Sequence, residues 1–144
     1  MLALDGKQAN DHAKWTYKEQ HWANELSECS QGLALSRLIF NRDRGEDVII
    51  EALLREALKL RETLHDKGKV ADTENSLGAL AQKQANWAEA DRHYQLALSL
   101  RQKMAPRTEA QFKEKDQSLA QSYTSLGNLY IDWGAARRSR SLAD

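Results

Sequence analysis

The sequence predicts an all-α protein built from repeated helical hairpins, and three observations carry that expectation. Strong helix formers (Ala, Leu, Glu, Gln, Lys, Arg) dominate, whereas 144 residues hold a single proline, Pro106, and only seven glycines. Apolar residues recur at helical spacing, and the strict alternation of a half-buried strand is absent. The third observation is internal similarity. DVIIEALLREALKLRETL (Asp47–Leu64) overlays WAEADRHYQLALSLRQKM (Trp87–Met104) at a displacement of 40 residues, with Ala57-Leu58 on Ala97-Leu98, Leu60-Arg61 on Leu100-Arg101 and Leu64 on Met104. SLGALAQKQA (Ser76–Ala85) overlays SLGNLYIDWG (Ser125–Gly134) at a displacement of 49, keeping Ser-Leu-Gly intact. One overlay pairs second helices and the other pairs first helices, as a reused helix-turn-helix unit requires.

In chain order, residues 1–26 form an aromatic-rich N-terminal extension. A helix over roughly Asp11–Cys29 is expected there, with Trp15, Trp22 and Leu26 in an i, i+7, i+11 series that would pack, with Tyr17, as a cap. The repeats then occupy about 27–66, 70–104 and 108–144. The first has an apolar first helix (Leu33, Leu35, Leu38, Ile39, Phe40 within Ser27–Asn41), a turn at Gly45 and the second helix from Asp47. The central one places Val70, Leu77, Gly78, Leu80 and Ala81 on one side of its first helix. After the polar turn Gln84-Ala85-Asn86, the second helix buries Trp87, Ala90, Tyr94, Ala97 and Leu98. Asn86 and Glu89 stand at the spacing of a capping box.

Pro106 ends that helix, and Thr108–Gln117 is extra relative to the central unit; it either lengthens the next first helix or forms a surface excursion. The third repeat begins with Leu126-Gly127, Leu129, Tyr130 and Gly134. Its expected second helix, Ala135–Asp144, carries Ser139 where the pattern asks for alanine and is too short to cover the first.

Leu77-Gly78, Ala81, Ala85, Trp87, Ala90, Tyr94 and Ala97-Leu98 together resemble the tetratricopeptide repeat. The long second helix, the VADTENSLGAL segment and periods above the usual ~34 residues are more similar to the kinesin-light-chain subtype. The resemblance covers nearly all of the central repeat and parts of the other two. It implies a right-handed α-solenoid whose first helices line a concave groove for a peptide or partner protein. At the matching positions stand Asp72, Asn75, Ser76, Ala79, Gln82 and Lys83, then Gln121, Thr124, Ser125, Asn128 and Ile131. Asn75 and Asn128 are the expected anchors, because a carboxamide offers a peptide backbone both donor and acceptor. Lys and Arg clamps for a terminal carboxylate are absent from the named polar positions except at Lys83.

The function expected is therefore a scaffold or adaptor, not an enzyme. The alternatives are a module that self-associates through its C-terminal face, or a regulatory segment of a larger enzyme-containing chain. Lys and Arg (21) balance Asp and Glu (21), which argues against a nucleic-acid or membrane-surface protein. Arg137-Arg138-Ser139-Arg140 is a short basic cluster that suits a solvated helix end. His12, His21, His65, His93 and the lone Cys29 show no metal-ligand spacing, and no phosphate loop or nucleophile elbow occurs, so neither metal nor cofactor is expected. A single cysteine without a signal peptide leans toward the cytoplasm.

Overall fold

The computed structural model describes residues 16–40 and 46–143. Within them five helices follow one another: α1 (Tyr17–Phe40), α2 (Asp47–Thr63), α3 (Lys67–Lys83), α4 (Trp87–Gln102) and α5 (Glu109–Ala143). No strand occurs among the described residues, so the all-α expectation holds. Two compact units divide within α3, between Thr73 and Glu74.

Helix ends are set by local chemistry. Two turns are Schellman motifs with a non-glycine residue in the left-handed region, His65 at φ 55° and Ala85 at φ 58°. After α2, the His65 and Asp66 amides donate to the Glu62 and Arg61 carbonyls; after α3, the Ala85 and Asn86 amides donate to Gln82 and Ala81. Asp66 then caps α3 by accepting from the Lys69 amide at 3.1 Å. Thr108 and Gln111 form a reciprocal capping box on α5, Thr108 Oγ1 accepting from the Gln111 amide and Gln111 Oε1 from the Arg107 and Thr108 amides. The box expected from Asn86 and Glu89 does not form. Asn86 occupies the N-cap of α4 but makes no side-chain cap bond. Glu89 is drawn instead to Arg92 and to His93 Nε2, 3.2 Å away. A carboxylate gains more from a charged partner than from a neutral amide.

In the first unit α1 packs on α2. Ala23 and Ala34 of α1 are buried, as are Ile50, Leu54, Ala57 and Leu60 of α2. Small residues on α1 let the helices approach while the larger side chains of α2 fill the space between them. Glu28 bridges Lys69 (2.7 Å) and Arg61 (3.4 Å). The Lys69 hydrogen bond, aided by the positive charges, holds its carboxyl below the usual range against a desolvation that would raise it. In the second unit the core is Ala81, Ala90, Tyr94, Leu126 and Leu129, with Trp87 and Leu98 packed against it. Most positions expected to be apolar in the central repeat thus face a core.

Two expectations about element boundaries change, the first and the third, and one open alternative, the second, is decided. First, α1 runs unbroken from Tyr17 through the expected border at residue 26, and its aromatic series points outward, with Tyr17 and Trp22 exposed. The buried stripe is the smaller one, Ala23, Ser27, Ser30, Gln31 and Ala34. Trp15 and the turn at Gly45 lie outside the described residues. Second, the extra residues after Pro106 lengthen a first helix, since α5 begins at Glu109. Third, α5 continues through Gly134, so the segment from Ala135 is the end of one 35-residue helix rather than a separate second helix. A lone glycine costs a helix only about 1 kcal/mol, which the good helix formers Ala135, Ala136, Arg137 and Arg138 outweigh.

Candidate interaction surface

A buried arginine ends the second helix in each unit and ties it to the helix that follows. In the first unit, Arg61 Nη1 donates to Thr73 Oγ1 (2.8 Å) and to the Lys69 carbonyl (3.3 Å). In the second, Arg101 Nη1 donates to Ser122 Oγ (2.8 Å) and to the Ser118 carbonyl (3.2 Å), while Nη2 donates to Gln121 Oε1 (3.0 Å). The donors are displaced by 40 residues and both acceptor pairs by 49, the two displacements that the sequence overlays require. One device is therefore built twice, by an arginine that binds a carbonyl and the hydroxyl one helical turn later. The overlay aligns these arginines, but nothing in a single sequence marks them as buried, since arginine is ordinarily a surface residue.

These ties orient α3 and α5. Gly78 of α3 meets the Tyr94 ring so closely that a Cβ there would lie 2.6 Å from Cδ1. The phenol then reaches Gln82, donating to Oε1 at 2.9 Å, and Gln82 Nε2 donates to Asp132 Oδ2 at 2.7 Å. Beside them, buried His93 Nδ1 lies 2.7 Å from Glu74 Oε2. His93 is thus a packing residue.

The groove candidates differ in exposure and in the contacts they make. Asp72 is exposed on the part of α3 that belongs to the first unit. In the second unit Lys83 and Asn128 are exposed, Ala79 and Ser125 are half-buried, and Ile131 is exposed. Thr124 is exposed but bonds back to the Ala120 carbonyl. Gln121 is held by Arg101 and Gln82 by Tyr94 and Asp132, so both belong to the internal frame as well. Ser76 is buried. Asn75 is half-buried, and its Oδ1 is shielded from solvent with no hydrogen-bond partner among the described residues. A buried acceptor left unpaired costs about 1–3 kcal/mol.

Burial, with the Asp132 charge adding to it, pushes the Tyr94 phenol up to about 12. The neutral form is thus favoured in the folded state. Its contribution is fully present below pH ~10, where an unfolded tyrosine ionises, and is lost as pH rises toward ~12. Stability is expected to fall by about 2–3 kcal/mol across that window, and Tyr94→Phe should remove most of the fall. Urea denaturation at stepped pH checks this; an unchanged slope in the variant would contradict it.

No cluster of His, Cys, Asp and Glu able to hold a metal ion occurs among the described residues. No described helix is long and apolar enough to cross a membrane. Comparison of the chain with protein-family models, curated proteins and solved structures gives no significant match.

Proposed function

We propose that this chain is a short array of tetratricopeptide-type hairpins, of the kinesin-light-chain kind, that binds an extended segment of another protein. In this reading the hairpins stack as a right-handed solenoid, and the first helices of successive hairpins, α3 and α5, present the binding face. The chain acts as an adaptor in the cytoplasm, where the exposed thiol of Cys29 stays reduced.

The observation that carries the reading is the doubled arginine tie at displacements of 40 and 49 residues. A hairpin whose second helix holds the helix that follows it is what an array needs in order to propagate, because each hairpin leaves an apolar face uncovered. Support for the binding role comes from the α3 face. Asn75 keeps an unpaired acceptor there, and Asn128, displaced from it by 53 residues, stands exposed on α5. In this reading a peptide lying along both helices exchanges donor and acceptor with exposed Asn128 and draws the Asn75 carboxamide outward to accept a backbone N–H.

The test is selection of a peptide from a displayed library, followed by measurement of its affinity for variants. Asn75→Ala and Asn128→Ala are each expected to weaken it about 5- to 50-fold, the worth of one or two hydrogen bonds, with the unfolding midpoint retained. Unchanged affinity in both variants would remove this face from the proposal.

A further inference from the structure

We infer that Ser141, in the last turn of α5, is a phosphorylation site for an arginine-directed serine/threonine kinase. Of all the serines and threonines in the chain, Ser141 alone has an arginine three residues before it, Arg138. Arg137 stands four residues before it, Arg140 immediately before it, and Leu142 follows. A kinase that selects arginine at the three-residue spacing through acidic pockets therefore has one acceptor here. Ser139 lies in the same cluster but has Ala136 at the selecting position. Ser118 has Lys115 there, whose ammonium is already bonded to the Gln102 and Met104 carbonyls.

The fold leaves this end of α5 accessible. α4 and α5 run antiparallel, with Arg101 donating to Ser122 at 2.8 Å and the Tyr130 hydroxyl donating to Asp91 at 2.7 Å. At the same rise along both helices, Trp87, the first residue of α4, comes level with about Gly134. α3 ends there as well, one residue after Gln82, which holds Asp132. The turns of α5 beyond that point overhang the hairpin. Arg137 through Leu142 are all exposed, Leu142 by 89%. A kinase cleft takes its substrate extended, so the last turn must open. Opening it breaks backbone hydrogen bonds at a helix end but uncovers no buried apolar side chain, which makes it one of the low-cost local openings of the chain.

In the transfer, Ser141 Oγ attacks the γ-phosphorus of Mg·ATP, the bond to the ADP oxygen breaks, and the hydroxyl proton leaves to the kinase's base. The resulting phosphate dianion stands at a helix C-terminus, where the dipole disfavours it. Arg137 and Arg138 lie one turn back, at i−4 and i−3, and supply the charge-assisted bonds that hold it. Before modification Arg137 sits over the Trp133 ring, 5.1 Å from its centroid. Phosphorylation draws that guanidinium off the indole. It also cuts the formal charge of residues 137–142, three arginines and no acidic residue, from +3 to about +1.

The test is incubation of the whole chain with Mg·ATP and the catalytic domain of a kinase that selects arginine three residues before its acceptor, read by tandem mass spectrometry. One phosphate per chain is expected, on Ser141. Arg138→Gln should lower kcat/KM at least about 10-fold, the worth of one charge-assisted contact, and Arg140→Gln less than about 3-fold. Both arginines are exposed, so both variants should keep the wild-type unfolding midpoint. A whole chain that takes up no phosphate overturns the inference, as does phosphate on Ser139 or incorporation that persists in Ser141→Ala. Equal losses in the two arginine variants would mean that the kinase answers to basicity alone and overturn the role of Arg138. In ¹⁵N spectra of the phosphorylated chain the Trp133 indole N–H should shift; an unmoved resonance overturns the pairing with Arg137.

Discussion

Arg101→Ala is expected to destabilise the second unit by about 2–4 kcal/mol, among the largest effects of any single substitution in this chain. Arg101 is 1% exposed, and its guanidinium satisfies the Ser118 carbonyl, the Ser122 hydroxyl and Gln121 at once. Truncation leaves a cavity of nearly the whole side chain and strands the buried Ser122 hydroxyl away from water. The loss also unties α4 from α5, so it should appear as a fall in the urea midpoint. Arg101→Lys should recover little, since an ammonium cannot span the three acceptors with the fixed fork of a guanidinium. Arg61→Ala should behave alike in the first unit, where Thr73 and the Lys69 carbonyl lose their donor and Glu28 loses a cation. Urea denaturation of the three variants checks all of this. A change below 1 kcal/mol for Arg101→Ala would mean that the tie is incidental to the fold.

Gly78→Ala and Gly127→Ala are expected to move stability in opposite directions, although the two glycines occupy equivalent places in Ser-Leu-Gly. Alanine is the better helix former by about 1 kcal/mol, so propensity alone favours both changes. At Gly78 the new methyl would lie 2.6 Å from Tyr94 Cδ1 and 2.7 Å from Cε1, inside any real contact distance. The ring is buried in the core with its hydroxyl bonded to Gln82 and cannot turn aside without breaking that packing. The net effect should be a loss of about 1–3 kcal/mol. At Gly127 nothing lies within 4 Å, and a gain of about 0.5–1 kcal/mol is expected in dilute protein. Thermal unfolding of both variants reads the signs directly. Stabilisation by Gly78→Ala would show that Tyr94 does not pack where it is placed here.

How far these features could be read from the sequence depends on what each residue type ordinarily does. The helices and the core of the central unit were legible, because Leu77, Leu80, Ala81, Ala90, Tyr94 and Ala97 repeat at helical spacing and helical burial follows that spacing. The displacements of 40 and 49 were legible too. The arginine ties were not. Arg61 and Arg101 align in the overlay, but their acceptors are a backbone carbonyl and a hydroxyl, which no pattern of residue types announces.

Termination was the weakest reading. Gly134 looks like a turn, yet one glycine among strong helix formers does not end a helix. Left-handed Ala85 does end one, with no glycine to mark it. The outward aromatic face of α1 was misread because an i, i+7, i+11 series has the spacing of a buried stripe whichever side the partner helix takes. Among the groove candidates, side-chain type could not separate Asn75, with an unpaired acceptor, from Gln82, whose amide is used internally.

Chemical-shift mapping of the ¹⁵N-labelled chain with a selected peptide separates the adaptor reading from a purely structural one. Perturbations are expected on α3 and α5 of the second unit, at Asn75, Lys83 and Asn128 above all, with the buried residues of α2 little moved. Perturbations confined to α1 and α2, or a chain that yields no peptide ligand from any library, would contradict it.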